Sequence, residues 1–354
     1  MRDFIKKTSA FSIFILFILV FTNFYGDAAK LFHIGYEKKI ASILLEKKNA
    51  TNISNYDERL LQKEIINNID KNPDVVVLGS SRSKLIGSKY FDNKLLFNNG
   101  VNGASIEDLV AIYQLYKERD ILPKKIVIVI DPWLFNEYNG LERWTSLEKE
   151  YNDFHNKTGT FSKAQENNFS ELISLSYFQN SLNNLPNVFT GKSDPVSTTQ
   201  KYNKTNTKLP DGSIIYGEKR INLSQENIDN IARKYSTGKI YGIENFEKIS
   251  DRNFEDFNSL CSDIIHNGIE LEFILTPYHP ITYKKIIANY PCVIKTENII
   301  KNYAENANIN CYGSFNPSVL EIDNSGLYDG VHSKEITISK IMKKRKESST
   351  TQKG

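Results

Sequence analysis

The sequence predicts an α/β fold built on a central parallel sheet, preceded by one N-terminal membrane-spanning helix. Three observations carry this. Short, continuously apolar runs alternate with helix-patterned segments along the chain. One uncharged apolar stretch near the N-terminus is long enough to cross a bilayer. Chemistry-bearing residues follow directly after the apolar runs, where parallel sheets gather their functional groups.

The apolar stretch runs from Thr8 to Tyr25 and is mainly Phe, Ile, Leu and Val. At about 1.5 Å per residue it makes a helix of about 27 Å, just enough for the hydrocarbon core. Arg2, Lys6 and Lys7 precede it, so the expected topology has residues 1–7 in the cytoplasm and everything after Gly26 outside. A cleaved signal peptide is the competing reading. The flank Phe24-Tyr25-Gly26-Asp27-Ala28-Ala29 lacks a good small-x-small site, which favours an uncleaved anchor over 8–26. The lipid bilayer is therefore the first expected partner.

Residues 27–70 carry spaced apolar positions among charges and read as a helical stalk. A globular domain is expected over 71–345. Val75 to Leu78 reads as a strand buried on both faces, and Leu95 to Phe97 as a second. Ser105-Ile106-Glu107-Asp108 is a capping-box-like helix start, and that helix ends before Pro123. Ile126 to Ile130, Leu271 to Leu275 and Ile309 to Tyr312 complete five expected strands. The segment 139–250 is rich in Asn, Ser, Thr, Lys and Tyr with weak periodicity. It reads as an insertion, part helical and part loop, either structural elaboration or a lid or substrate-binding face over the site. Residues 346–354 read as a polar tail, and Lys343-Lys344-Arg345-Lys346 as a solvated helix end.

Composition excludes several classes. A net charge of +3 over 354 residues is too small to imply a nucleic-acid partner. Cys261, Cys292 and Cys311 have no metal-ligand spacing, so no metal or cofactor is expected; they allow one disulfide outside the cell but do not describe a disulfide scaffold. The abundance of Asn, Lys and Ile is compatible with an AT-rich bacterial genome.

Two motifs carry chemistry. Gly79-Ser80-Ser81-Arg82 follows the first strand, and Asp329-Gly330-Val331-His332 comes about 250 residues later. Together they supply a serine, a histidine and an aspartate. Serine is a poor nucleophile until a neighbouring imidazole takes its proton, and a carboxylate orients that imidazole. Ser81 is the expected nucleophile, His332 the base and Asp329 the orienting acid. A merely structural turn serine is the alternative at Ser81. His33, His155 and His266 have no constellation around them and receive no role.

These blocks resemble the SGNH (GDSL-like) hydrolase superfamily, in a membrane-anchored extracytoplasmic branch. The first family block is Gly-Asp-Ser, matched by Gly79-Ser80-Ser81 with Ser in place of Asp. The second corresponds to Asn98-Asn99-Gly100-Val101-Asn102-Gly103-Ala104-Ser105, and the last to Asp329 and His332. The Gly-Ser-Ser opening and the Pro-Trp of the third block are also similar to the D component of lipoteichoic-acid D-alanylation. They are similar as well to anchored proteins that work beside polysaccharide O-acyltransferases. The resemblance covers roughly 74–135 and 270–334.

The resemblance implies a three-layer, flavodoxin-like domain. It implies a serine esterase or acyltransferase acting on a cell-envelope glycan or teichoic-type polymer, with a multi-pass membrane acyltransferase as possible partner. The oxyanion hole would comprise the N–H groups of Ser81 and Gly103, with Asn102 as a further donor. The third block departs from the family's Gly-x-Asn-Asp and reads Ile130-Asp131-Pro132-Trp133-Leu134-Phe135. An ionised Asp131 only accepts hydrogen bonds and cannot replace that Asn. The departure points to slow hydrolysis, specialised transfer, or a non-catalytic accessory protein. Arg82, Asp131, Trp133 and His279 are expected around the cleft; Arg82 also reads as an ion-pair partner and Trp133 as a packing residue.

Overall fold

The computed structural model describes residues 1–28, 32, 35–156, 168–191 and 194–351. His33 lies outside them. The helices are α1 (Arg2–Gly26), α2 (Tyr36–Leu45), α3 (Glu58–Asn68), α4 (Ile106–Glu118), α5 (Glu148–Phe154) and α6 (Leu175–Phe189). They continue with α7 (Glu218–Ile221), α8 (Gln225–Thr237), α9 (Asp251–His266), α10 (Pro280–Asn289), α11 (Pro291–Asn306) and α12 (Glu335–Thr351). The strands are β1 (Asn49–Thr51), β2 (Val75–Leu78), β3 (Leu96–Asn98), β4 (Lys125–Ile130) and β5 (Val196–Thr198). Then come β6 (Thr207–Lys208), β7 (Ile214–Ile215), β8 (Glu270–Leu275) and β9 (Asn310–Gly313).

Five strands form one parallel sheet in the order β3-β2-β4-β8-β9. They are the five apolar runs, with ends within one residue of expectation. Their side chains divide between two cores. Val76, Leu78, Ile126, Ile128, Ile130, Phe273 and Leu275 join the larger core, with residues of α4, α9 and α11. Val75, Val77, Val127, Val129, Ile274 and Tyr312 join the smaller, with Ile338, Ile341 and Met342 of α12. Helices cover both faces, so the strands read as continuous apolar runs instead of alternating ones. At the start of α4, Ser105 Oγ accepts from Asp108 N–H and Asp108 Oδ2 accepts from Ser105 N–H at 2.9 Å, a reciprocal cap.

The segment expected as a stalk is folded onto the domain instead. Ile40 and Leu44 of α2, with Leu61, Ile65 and Ile66 of α3, are buried in the larger core. Arg59 of α3 holds Asp108 through Nε and Nη2, both at 2.8 Å, with both side chains buried. Helical spacing marked an apolar face here, and that face found the domain's own core.

The insertion is similarly integrated, and it contains strands as well as the expected helices and loops, because strands two or three residues long leave no periodic signal in the sequence. Its strands β5, β6 and β7 build a second, antiparallel sheet around β1, in the order β5-β1-β6-β7. α8 packs on α10, and α6 packs on the C-terminal end of α1. α1 itself is long and apolar enough to cross a membrane. The basic cluster near the C-terminus is not wholly solvated. Arg345 is half-buried and donates to Glu272 Oε2 at 2.6 Å, a buried carboxylate inside β8 that also accepts from Lys125. A buried carboxylate in a sheet needs such partners, and α12 brings one. The three cysteines are free thiols.

Candidate functional site

Where β2 ends, the chain must turn hard against β4. Gly79 makes this possible: its φ is +154°, and a Cβ there would lie 2.9 Å from Val129 Cβ. Ser80 follows, buried, and its Oγ accepts from Arg82 N–H at 3.1 Å. This opens a single 3₁₀ turn over Ser81–Ser83 and leaves Ser81 half-buried at the C-terminal edge of the sheet.

The second motif arrives at the same edge from the chain's other end. Asp329 Oδ1 accepts from the N–H groups of Val331 and His332, both at 2.9 Å, and closes the turn Asp329–His332 on itself. His332 Nδ1 lies 2.8 Å from Asp329 Oδ2, and His332 Nε2 lies 2.9 Å from Ser81 Oγ. The carboxylate can only accept, so Nδ1 carries the proton and Nε2 is left to accept from the serine hydroxyl. Burial pushes the Asp329 carboxyl up. The hydrogen bond and charge of His332, the charge of Arg220 and the Val331 N–H outweigh it and hold the carboxyl well below the usual range.

Arg220 was not legible as a site residue. It lies in α7, within the insertion, and its Nη2 donates to Asp329 Oδ2 at 2.6 Å. Its guanidinium stacks 4.2 Å from the centre of the Tyr216 ring. Ser81, His332, Asp329 and Arg220 thus form one hydrogen-bonded line drawn from three distant parts of the chain.

The other expected residues separate into two layers. Arg82, Asp131 and His279 do not line the cleft; all three are buried beneath it. Arg82 Nη1 donates to Asp131 Oδ1 at 3.1 Å and its Nη2 to the carbonyls of Thr276 and Pro277, with Tyr278 stacked 4.4 Å away. Burial pushes the Asp131 carboxyl up, and the Arg82 charge offsets part of that. His279 caps α10, its Nδ1 accepting from Ile281 N–H at 3.2 Å, and burial pushes its imidazole pKa down. Its own N–H donates to Gly330 O at 3.0 Å, which ties the Asp329–His332 turn to the end of β8. Trp133 does face the cleft, with its indole N–H bonded to Ala104 O at 3.0 Å. A strand-end position in the sequence indicates the correct edge of the sheet but not the depth.

Two clefts meet at Ser81 and His332. One, about 350 Å³, is also lined by Glu58, Lys84, Asn102, Lys208, Tyr216 and Arg220. The other, about 340 Å³, is lined by Asn102, Gly103, Trp133, Arg143, Tyr235 and Tyr241. The N–H groups of Ser81 and Gly103 donate to no acceptor among the described residues. Asn102 is constrained differently. Its N–H donates to Glu58, and its Oδ1 accepts from Lys84 Nζ at 2.8 Å, which turns its Nδ2 away from Lys84.

The first cleft carries a dense charge cluster. Lys84 is buried and paired with Glu58. Lys208 is buried too, and its Nζ donates to the neutral carbonyl of Gly212 at 3.0 Å. Desolvation pulls the Lys208 ammonium down to about 8, and repulsion from Lys84 acts in the same direction. Sequence reasoning missed Glu58, Lys208, Tyr235 and Tyr241, because they lie in the two segments without motifs. Lys84, three residues after Ser81, was the one with a local signal. Among the described residues, no group of three His, Cys, Asp or Glu is placed to hold a metal ion. The chain matches no protein-family model and no curated protein.

Proposed function

We propose that the chain is a membrane-anchored, SGNH-type serine esterase or O-acyltransferase. Its expected substrate is an ester on a cell-envelope polysaccharide or teichoic-type polymer, outside the cytoplasmic membrane. The observation that carries the reading is the hydrogen-bonded line from Ser81 through His332 to Asp329. In the proposed reaction Ser81 Oγ attacks the acyl carbonyl as His332 Nε2 takes its proton. The N–H groups of Ser81 and Gly103, with Asn102 Nδ2, receive the oxyanion. As the ester C–O bond breaks, His332 returns the proton to the leaving alcohol. A second alcohol or a water then attacks the acyl-serine, and Ser81 recovers its proton through His332. A multi-pass membrane acyltransferase would supply acyl groups in the transfer version.

A fluorophosphonate probe tests the reading. It should form a covalent Ser81 adduct with loss of fluoride. Ser81→Ala should abolish labelling, and His332→Ala should slow it to background. With an aryl ester, the two changes combined should cost no more than either alone, because the residues act as a unit. A folded protein that never labels would favour the second reading, a non-catalytic accessory protein. Asp131 supports that second reading: it stands where the family has its oxyanion Asn, and it is paired with Arg82.

A further inference from the structure

We propose that α6 is a second membrane contact, lying in the interface with one apolar face against lipid. The proposal rests on α1 spanning the bilayer. α6 has three faces, each with its own chemistry. One holds α1. Tyr177 OH donates to Asp27 Oδ1 at 2.8 Å, and Asn184 Nδ2 donates to Gly26 O at 2.7 Å. Between them Ser181 is buried against Gly26, where a Cβ would lie 2.2 Å from Ser181 O. Just before α6, Asn23 Nδ2 reaches the carbonyls of Glu171, Leu172 and Ser174 at 2.9 to 3.0 Å. These contacts fix α6 at the last two turns of the apolar helix.

The second face is Leu175, Phe178, Leu182, Leu185 and Phe189, spaced alternately three and four residues apart. Leu175, Leu182 and Phe189 are 76%, 49% and 71% exposed, and Ile173 just ahead is 61% exposed. The third face is Ser176, Gln179, Asn180, Asn183 and Asn187. No charged residue occurs within α6. A charge-free helix divided this sharply is built to lie at an apolar–aqueous boundary.

The location says which boundary. Phe21, Phe24 and Tyr25 are exposed on α1 at the level where α6 crosses it. Aromatic rings collect where headgroups meet acyl chains. The apolar stripe of α6 continues that belt sideways, at the depth its contacts with α1 impose. An exposed apolar stripe of this extent needs a partner, and the partner adjoining a membrane-spanning helix is lipid.

The test uses the full chain in phosphatidylcholine nanodiscs, with the environment-sensitive fluorophore NBD on single introduced cysteines. Leu182→Cys reports the apolar face, Asn183→Cys the polar face and Phe14→Cys the span. The unsubstituted chain serves as the labelling blank for the three native thiols. Lipids carrying a nitroxide near the headgroup are the quenchers for positions 182 and 183, and lipids carrying it deep in the acyl chain are the quenchers for position 14. Quenching at position 182 should be several-fold stronger than at 183, with blue-shifted emission at 182. Equal, weak quenching at 182 and 183 with strong quenching at 14 overturns the proposal and leaves the anchor standing. No quenching at 14 removes the anchor and the proposal together. A position 182 that is shielded only in native membranes, and not in nanodiscs, assigns the face to a protein and also overturns it.

Discussion

Asp329 lies between His332 and Arg220, and this makes its position and charge a property of the insertion as much as of its own turn. In the proposed reaction His332 relays the proton, whereas Arg220 only holds the carboxylate. Hydrogen bonds to charged groups contribute about 1.5–3 kcal/mol, or roughly 10- to 100-fold in rate if lost fully in the transition state. Arg220→Gln should therefore lower kcat/KM, or the rate of fluorophosphonate labelling, within that range. Unchanged rates would make Arg220 a surface tether. The depressed Asp329 pKa has a second consequence. Its stabilisation is present above the ordinary carboxylate range and is lost as pH falls toward the much lower folded value.

Lys208 is shifted in the same direction for a different reason, because here the charged form is disfavoured by burial. Its ammonium is lowered to about 8 from an ordinary 10.5, so between those values the unfolded chain binds the proton and the folded chain does not. Stability must then rise with pH across that window. Lys84 faces it as a like charge, and Glu58 and Asp211 as opposite ones. Relative to Lys208→Met, the wild type should gain up to about 3 kcal/mol between pH 8 and pH 10.5, at roughly 1.4 kcal/mol per pH unit. Urea denaturation at both pH values measures it, and a difference that stays constant would mean that Lys208 is fully compensated.

At the scale of elements, α2 and α3 are the instructive case. Their periodic apolar residues are legible in the sequence, but charge on the remaining faces made them resemble a free stalk. Only packing distinguishes the two. Leu61→Ala tests it: a buried leucine truncated in a core costs about 2–5 kcal/mol, whereas the same change on a free stalk would leave the domain's stability untouched. A drop within that range in denaturant titration is expected. The Arg59–Asp108 pair gives the same element a further hold, because it joins α3 to the cap of α4, directly after the Asn102–Gly103 turn.

On the scale of the whole molecule, the proposed reaction requires the site and its substrate to lie on the same side of the membrane. With Arg2, Lys6 and Lys7 ahead of the span, a cysteine replacing exposed Lys71 should react with a membrane-impermeant maleimide in intact cells. Labelling only after lysis would place the domain in the cytoplasm and exclude a surface polymer as substrate.

The five strands of the parallel sheet, the apolar N-terminal helix and the three residues Ser81, Asp329 and His332 could be read from the sequence alone, whereas the four strands of the antiparallel sheet could not. Each legible feature announces itself locally: a strand buried on both faces is a continuous apolar run, and a turn motif is a few adjacent residues. The depth of Arg82, Asp131 and His279, the docking of residues 36–68, and the arrival of Arg220 and Lys208 at the cleft were decided by tertiary structure. These depend on contacts between segments tens to hundreds of residues apart. No local pattern of charge or apolarity encodes which distant partner a side chain meets; that follows only once the sheet and its covering helices have closed.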